Sequence, residues 1–167
     1  TGMGKSMQEL LAASVELNVV DGVILPNLKM QGTEEACAYL DEEGRCSIHP
    51  YRPGICRLFP LGRYYENGGF SYFLQTGECA KENRSKIKVS KWIDTPDLTR
   101  NQQFTLQWHD LLHAMEERLT GEDEGKQREE NLLLLRLFYL LPYEGTIDFY
   151  TQFTERMEHW NGQNGQI

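Results

Sequence analysis

The most informative stretch of this chain is residues 45–60, which read RCSIHPYRPGICRLFP. Its prolines remove backbone N–H donors and fix φ, so the stretch is unsuited to a long helix or a central strand. Pro53 fits the first turn of a short helix, because its missing N–H would have no partner there. Cys56 would then lie near the positive end of that helix, with Arg52 and Arg57 close by. These charges favour the thiolate, which is the form of cysteine that binds metals.

A hairpin pattern precedes this stretch. Short strands over 36–40 and 45–48 are joined by a polar four-residue turn that ends in glycine. A loop of that length places Tyr39 opposite Cys46, so Cys37 lies on the same face as Cys46. Diagonal neighbours of this kind have Cα atoms about 7 Å apart. We therefore expect both sulfurs to reach one metal or one small cluster.

A second hairpin pattern follows it. Residues 61–65 and 70–74 flank Glu66-Asn67-Gly68-Gly69, and Asn-Gly is a strong signal for a tight turn between strands. One face of this hairpin is expected to contribute to a core, and it could also shield a metal site from solvent. The residues concerned are Tyr64, Tyr65, Phe70, Tyr72 and Phe73.

Helical patterns dominate the rest of the chain. Ser6 is expected to cap a first helix over 7–17, and Thr95 a long helix that ends near Leu119. Two more helices are expected over 126–141 and 146–160. We predict an α+β fold in a single domain. Its parts are a turn-rich cysteine-cluster region over 1–91, a helical region over 92–160 and a frayed tail over 161–167.

The composition argues against some classes of protein. The 17 Lys+Arg residues against 25 Asp+Glu residues give a net charge of −8. Nucleic-acid binding needs a positive surface, so we expect no nucleic-acid partner. No apolar run reaches the length of about 18 residues that a membrane span requires, so we expect no membrane association. No secretory segment opens the chain either, and we expect a cytoplasmic protein.

The cysteines are the candidate metal ligands: Cys37, Cys46, Cys56 and Cys79. Their clustering in the N-terminal half is typical of a metal site, although no Cys-x2-Cys pair is present. Two other interpretations stay open, since cysteines can be small apolar core residues or can form disulfides. We expect His49 to form a hydrogen bond rather than to ligate. Arg52 and Arg57 are expected to donate hydrogen bonds to the sulfurs.

Residues 37–60 resemble the YkgJ-type cysteine-cluster family, which is named for zinc or iron chelation and includes relatives of flagellin lysine N-methylase. The likeness rests on Cys37 and on the run Cys-x-Ile-x-x-x-Arg-Pro-x-x-Cys-Arg-x-Phe-Pro that begins at Cys46. The resemblance implies a metal site with Cys79 as a later ligand. The family also carries closely spaced cysteines before a Gly-x-Gly segment like Gly2-Met3-Gly4. That group is missing here, and we expect Thr1 to follow it in a longer chain.

Three hypotheses for the function follow. The first is a protein that holds an iron–sulfur cluster, or a zinc or iron ion, in a redox or protein-modification role. Widely spaced cysteines with flanking arginines suit a cluster slightly better than zinc. The second is an S-adenosylmethionine-dependent enzyme like a protein lysine N-methylase, which only the resemblance implies. The third is a metal-free interaction module that binds a protein partner through the acidic helical half.

Two histidines share a helix face without forming a recognisable catalytic motif. His109 and His113 are four residues apart, but a zinc-protease motif needs Glu directly after the first histidine, and that position holds Asp110. We expect packing or surface roles for both.

Overall fold

The computed structural model describes residues 2–78 and 85–164, which form an α+β structure as predicted. Antiparallel strand pairs lie in the N-terminal half, and the longer helices lie in the C-terminal half. No helix in the described part is long and apolar enough to cross a membrane. In chain order the elements are α1 (Met7–Ala13), β1 (Val15–Val20), β2 (Val23–Leu28), β3 (Met30–Gln31), β4 (Ala36–Cys37), α2 (Gly54–Leu58), β5 (Leu61–Glu66), β6 (Gly69–Leu74), α3 (Val89–Ile93), α4 (Leu98–Leu119), α5 (Glu124–Leu135) and α6 (Phe149–Asn164).

The chain forms two compact units, and the boundary between them falls inside α4. The first unit contains the residues up to Ile48 together with those from Leu111 onward. The second unit is the intervening segment, His49–Asp110. The first unit therefore holds α5 and α6, whereas the second holds the hairpin of β5 and β6. The single-domain organisation stays a prediction.

Helix α1 begins as predicted. The Ser6 hydroxyl accepts the Glu9 N–H at 3.3 Å, and the Glu9 carboxylate accepts the Ser6 N–H at 2.7 Å. This reciprocal pair satisfies backbone donors that have no partner within the helix. Hydrogen bonds from the Ser6 backbone and then from its hydroxyl lower the pKa of Glu9.

The predicted end of α1 is wrong, because a β-hairpin replaces its last turn. The helix ends at Ala13, and β1 pairs with β2 from Val15 opposite Leu28 to Val20 opposite Val23. β-branched side chains favour a strand over a helix. Asp21-Gly22 closes the hairpin because both residues have positive φ, as a tight turn of this type requires.

The helices of the first unit enclose its apolar core. Helix α5 starts at Glu124, two residues before the predicted start, because Asp123 accepts the N–H groups of Gly125 and Lys126. A π-helical turn, Arg136–Leu140, continues it to near the predicted end. Helix α6 is displaced toward the C-terminus from the prediction, since it begins at Phe149. The buried core side chains of these helices include Met115, Leu119, Leu134, Phe138, Phe153 and Trp160.

A buried arginine stabilises the end of the π-helical turn. The Arg156 guanidinium donates to the carbonyls of Leu137, Leu141 and Pro142 at 2.7, 2.9 and 2.8 Å. It also lies 3.5 Å from the ring centroid of Tyr143. Helix ends leave carbonyl groups without partners inside the helix, and one side chain here satisfies several of them.

The second unit contains the predicted hairpin of β5 and β6. Asn67 and Gly68 form its turn with φ angles of 49° and 70°, which asparagine and glycine tolerate best. Gly62 lies opposite Phe73, and a Cβ at Gly62 would come within 2.3 Å of that ring. A glycine in β5 therefore leaves room for an aromatic side chain in β6.

The start of α4 differs slightly from the prediction. The helix begins at Leu98, and Asp97 rather than Thr95 acts as its cap by accepting the Arg100 N–H at 3.0 Å. Its end at Leu119 is as predicted. The short helix α3, Val89–Ile93, was not predicted.

Candidate metal centre

Cys37 and Cys46 lie in one turn-rich segment, but the predicted register between their strands is wrong. Cys37 ends β4 and pairs with Met30 of β3, while Cys46 forms an isolated bridge with Leu40. Cys46 therefore faces Leu40 rather than Tyr39. The inference that the two sulfurs share a strand face loses its basis, because a one-residue slip reverses the faces.

The slip has a local cause in the side chain of Asp41. Its Oδ1 accepts the backbone N–H groups of Glu43 and Arg45 at 3.1 and 2.7 Å. The Asp41 N–H also donates to the Arg45 carbonyl at 2.9 Å, so these two residues pair and the loop is three residues long. Gly44 completes it with a φ of 73°, as in the common three-residue hairpin loop.

Hydrogen bonds fix the segment that carries these two cysteines. The Leu40 N–H donates to the Cys37 carbonyl at 3.0 Å, and the Ser47 N–H donates to the Tyr39 carbonyl at 2.8 Å. The Tyr39 hydroxyl is hydrogen-bonded to Ser14 at the start of β1. Cys37 and Cys46 are both half-buried thiols. The backbone thus holds each thiol in a defined position, with part of its surface open.

Cys56 lies on α2 in the second unit, as the position of Pro53 predicted. It is the third residue of this five-residue helix and is a half-buried thiol. The neighbouring Arg57 donates to the Pro50 and Asp94 carbonyls at 2.9 and 3.3 Å. These bonds connect the segments before and after α2, so Arg57 has a structural role. Its predicted contact with sulfur stays a prediction.

Arg52 and His49, for which hydrogen bonds near the metal site were predicted, lie just before α2. The Nε–H of Arg52 is buried and has no hydrogen-bond partner among the residues that the structure describes. A buried donor without an acceptor is unfavourable, so this group is suited to an anionic partner such as a metal-bound thiolate. His49 starts a 3₁₀ turn and is exposed, and its carbonyl accepts the Arg52 N–H at 3.5 Å. The hydrogen bond predicted for its ring stays a prediction.

The described residues alone do not form a complete metal shell. Within 2–78 and 85–164, no three Cys, His, Asp or Glu side chains are placed to hold one ion. Cys79, the fourth predicted ligand, lies outside the described residues. The donor chemistry fits zinc or iron, since the described thiols and the unpaired Arg52 suit a thiolate site. The four-cysteine shell stays a prediction.

The two histidines of α4 have the packing and surface roles expected of them. The His109 ring stacks on Tyr65, with centroids 3.6 Å apart and an angle of 11° between the planes. His113 lies 3.5 Å from the Glu116 carboxylate and 3.6 Å from the Glu117 carboxylate, and its side chain is exposed.

Comparison with known families bears on this cysteine region. Residues 5–82 match the model of the CxxCxxCC family, which is described as "Putative zinc- or iron-chelating domain". Those residues are similar to this family. The match confirms the cysteine-cluster family that residues 37–60 resemble, and it supports metal binding. The cysteines of this chain do not show the spacing that the family name spells, since no two of them are adjacent or separated by two residues. No curated protein and no solved structure matched the chain.

Proposed function

We propose that this chain binds a metal through the thiolates of its four cysteines, Cys37, Cys46, Cys56 and Cys79. The observation that carries the proposal is the family match over residues 5–82, a range that includes all four. Thiolate is a preferred ligand of both zinc and iron–sulfur centres. The cysteines are therefore the first candidates for the chelating groups.

The state of the described cysteines supports thiolate ligation. Cys37, Cys46 and Cys56 are all thiols, and each is half-buried. A half-buried thiol can lose its proton to a metal while the surrounding side chains limit solvent access. The unpaired Nε–H of Arg52 adds a donor that would stabilise the negative charge of several thiolates around one centre.

The finer proposal is an iron–sulfur cluster in a cytoplasmic protein with a redox or protein-modification role. A ligand set of cysteines alone suits a cluster, and these cysteines lack the paired spacing of common zinc sites. Such a cluster supplies one-electron chemistry, whereas zinc would supply a structural cross-link. The three cysteines that the structure describes are thiols, and thiols are typical of a reducing compartment, which supports the cytoplasmic location.

Two serine substitutions on the same helix test the ligand assignment. Cys56→Ser removes a proposed ligand, whereas Ile55→Ser introduces the same residue next to it at a position that is 69% exposed. After anaerobic purification, we expect Cys56→Ser to lose most of the bound metal and to melt at a lower temperature. Ile55→Ser should keep the metal content of the unmodified chain. Full metal content and an unchanged melting temperature in Cys56→Ser would overturn the assignment.

The two alternatives can be tested with the same protein. A methylase-like enzyme must bind S-adenosylmethionine, so calorimetry with that molecule decides this hypothesis, and no heat of binding would remove it. A metal-free interaction module predicts a folded chain without zinc or iron. Neither alternative has a specific described contact in its favour.

A further inference from the structure

One face of the hairpin of β5 and β6 combines an arginine with aromatic side chains. Arg63 lies directly opposite Tyr72, and Tyr65 lies directly opposite Phe70. Because side chains alternate across a strand, these four share one face. All four are half-buried, whereas Tyr64, on the other face, is 60% exposed. The arginine is therefore on the shielded side of a two-stranded sheet.

Two polar groups on this face lack hydrogen-bond partners among the described residues. They are the Nε–H of Arg63 and the hydroxyl of Tyr72, and both are buried. No carboxylate of the described residues forms an ion pair with Arg63. A guanidinium does not lose its proton in proteins, so the positive charge cannot be relieved in that way. A buried N–H group without an acceptor is unfavourable, as is a buried hydroxyl without a partner.

The aromatic neighbours hold the guanidinium in place without satisfying it. The carbon of the guanidinium lies 5.3 Å from the ring centroid of Phe70 and 5.9 Å from that of Tyr72. These contacts are favourable, but they use the ring faces and supply no hydrogen-bond acceptor for the N–H groups. The Phe70 and Tyr72 rings meet edge to face at 5.2 Å, and the next ring, Tyr65, stacks on His109. The Arg63 guanidinium and the Tyr72 hydroxyl are therefore held in position by the aromatic rings around them.

The geometry points to a binding site for a small oxyanion, a phosphate or carboxylate group, at Arg63 and Tyr72. An oxyanion accepts hydrogen bonds from a guanidinium and from a phenol at the same time, and its charge matches that of the arginine. The chain as a whole carries a net charge of −8, so an unpaired half-buried arginine is unusual within it. Arg63 and Tyr72 are not among the proposed metal ligands, and the test of this site does not depend on bound metal.

Calorimetry with two simple anions tests the site. Inorganic phosphate and acetate are titrated into the full chain as purified, at constant ionic strength set with sodium chloride. Three variants are compared: Arg63→Met removes the charge, Tyr72→Phe removes only the hydroxyl, and Arg45→Met removes a control arginine whose side chain is 74% exposed. Binding of phosphate alone assigns the site to phosphate groups, and binding of acetate alone assigns it to carboxylates. Binding of both supports an oxyanion site of broad specificity.

We expect specific losses of affinity. Arg63→Met should weaken anion binding by about 10- to 100-fold, since a hydrogen bond to a charged group contributes that much to affinity. Tyr72→Phe should weaken it by about three- to tenfold, and Arg45→Met by less than about twofold. Without anion, Arg63→Met should melt at the same temperature as the unmodified chain or higher, because it removes an unpaired charge. If neither anion binds, or if Arg63→Met binds as tightly as the unmodified chain, the proposal is wrong.

Discussion

The hairpin of β1 and β2 lies in the segment that matches the family model. A residue outside that segment is hydrogen-bonded to it. Asn131 of α5 is only 3% exposed, and it lies beyond residues 5–82. Its side-chain oxygen accepts the Ile24 N–H at 2.6 Å, and its amide donates to the Gly22 and Gln127 carbonyls at 3.0 and 2.8 Å. We predict that Asn131→Ala destabilises the first unit by detaching this hairpin from α5.

The magnitude follows from the bonds that are lost. A typical hydrogen bond contributes about 0.5–1.5 kcal/mol, and a buried N–H without a partner costs about 1–3 kcal/mol. The half-buried Ile24 N–H carries most of this cost, since the Gly22 carbonyl belongs to an exposed turn residue that water can reach. Alanine regains roughly 0.5 kcal/mol through its higher helix propensity. The expected loss in the free energy of unfolding is therefore about 2–3 kcal/mol.

Urea unfolding followed by circular dichroism measures this loss. Glu129→Ala is the matched control, because Glu129 is exposed on the same helix and the change introduces the same residue. It should alter the free energy of unfolding by less than about 0.5 kcal/mol. If Asn131→Ala is as stable as this control, the hydrogen bonds to Ile24 and Gly22 do not hold the hairpin, and the reasoning is refuted.

Three further substitutions probe other parts of the first unit. The Ser6 contacts lower the pKa of Glu9 below 4.5 in the folded state. The stability that the charged carboxylate adds is therefore present above pH 4.5, and it is lost as the pH falls through the folded-state pKa. Urea unfolding should thus show Glu9→Gln as less stable than the unmodified chain at neutral pH, with the difference shrinking in acid. Arg156→Met leaves the carbonyls of Leu137, Leu141 and Pro142 without this donor, and its melting curve should reveal a loss of about 3 kcal/mol in the free energy of unfolding. Burial raises the pKa of Tyr139, so the folded state holds this proton after the unfolded state has lost it. Stability should fall above about pH 10, and less so in Tyr139→Phe; equal alkaline losses in both proteins would contradict this.

Local turn chemistry decides where sequence-based reasoning works. The hairpin of β5 and β6 was predicted because Asn67-Gly68 is an unambiguous turn signal between two alternating strands. Asp21-Gly22 carries a comparable signal, but the first helix was predicted to extend over 7–17, which includes the first residues of β1. The β-branched residues before Asp21 favour pairing with β2 instead, so the end of α1 was misplaced.

The cysteine segment shows why register is harder to predict than the presence of a hairpin. The sequence of the polar residues 41–44 is as compatible with a four-residue loop as with the three-residue loop that forms. The Asp41 side chain binds two backbone N–H groups and shortens the loop by one residue, which moves Cys46 opposite Leu40. Nothing in the spacing of the cysteines reveals that choice.

The hairpin arginine was overlooked at the sequence level. Arg63 alternates with Tyr65 along β5 and stands opposite an aromatic strand, which is a detectable pattern. A cation among aromatic residues on the inward face of a hairpin needs a partner, and a search for such positions would have found it. That its Nε–H has no partner could be learned only from the structure, because pairing depends on residues distant in sequence.

Metal analysis of the anaerobically purified chain, combined with its visible spectrum, tests the central claim most directly. Metal binding through the four cysteines predicts zinc or iron in fixed proportion to protein, and the finer proposal predicts iron with inorganic sulfide and a broad visible absorption. A colourless protein with stoichiometric zinc would replace the cluster with a zinc site. Folded protein that contains neither zinc nor iron would contradict the account.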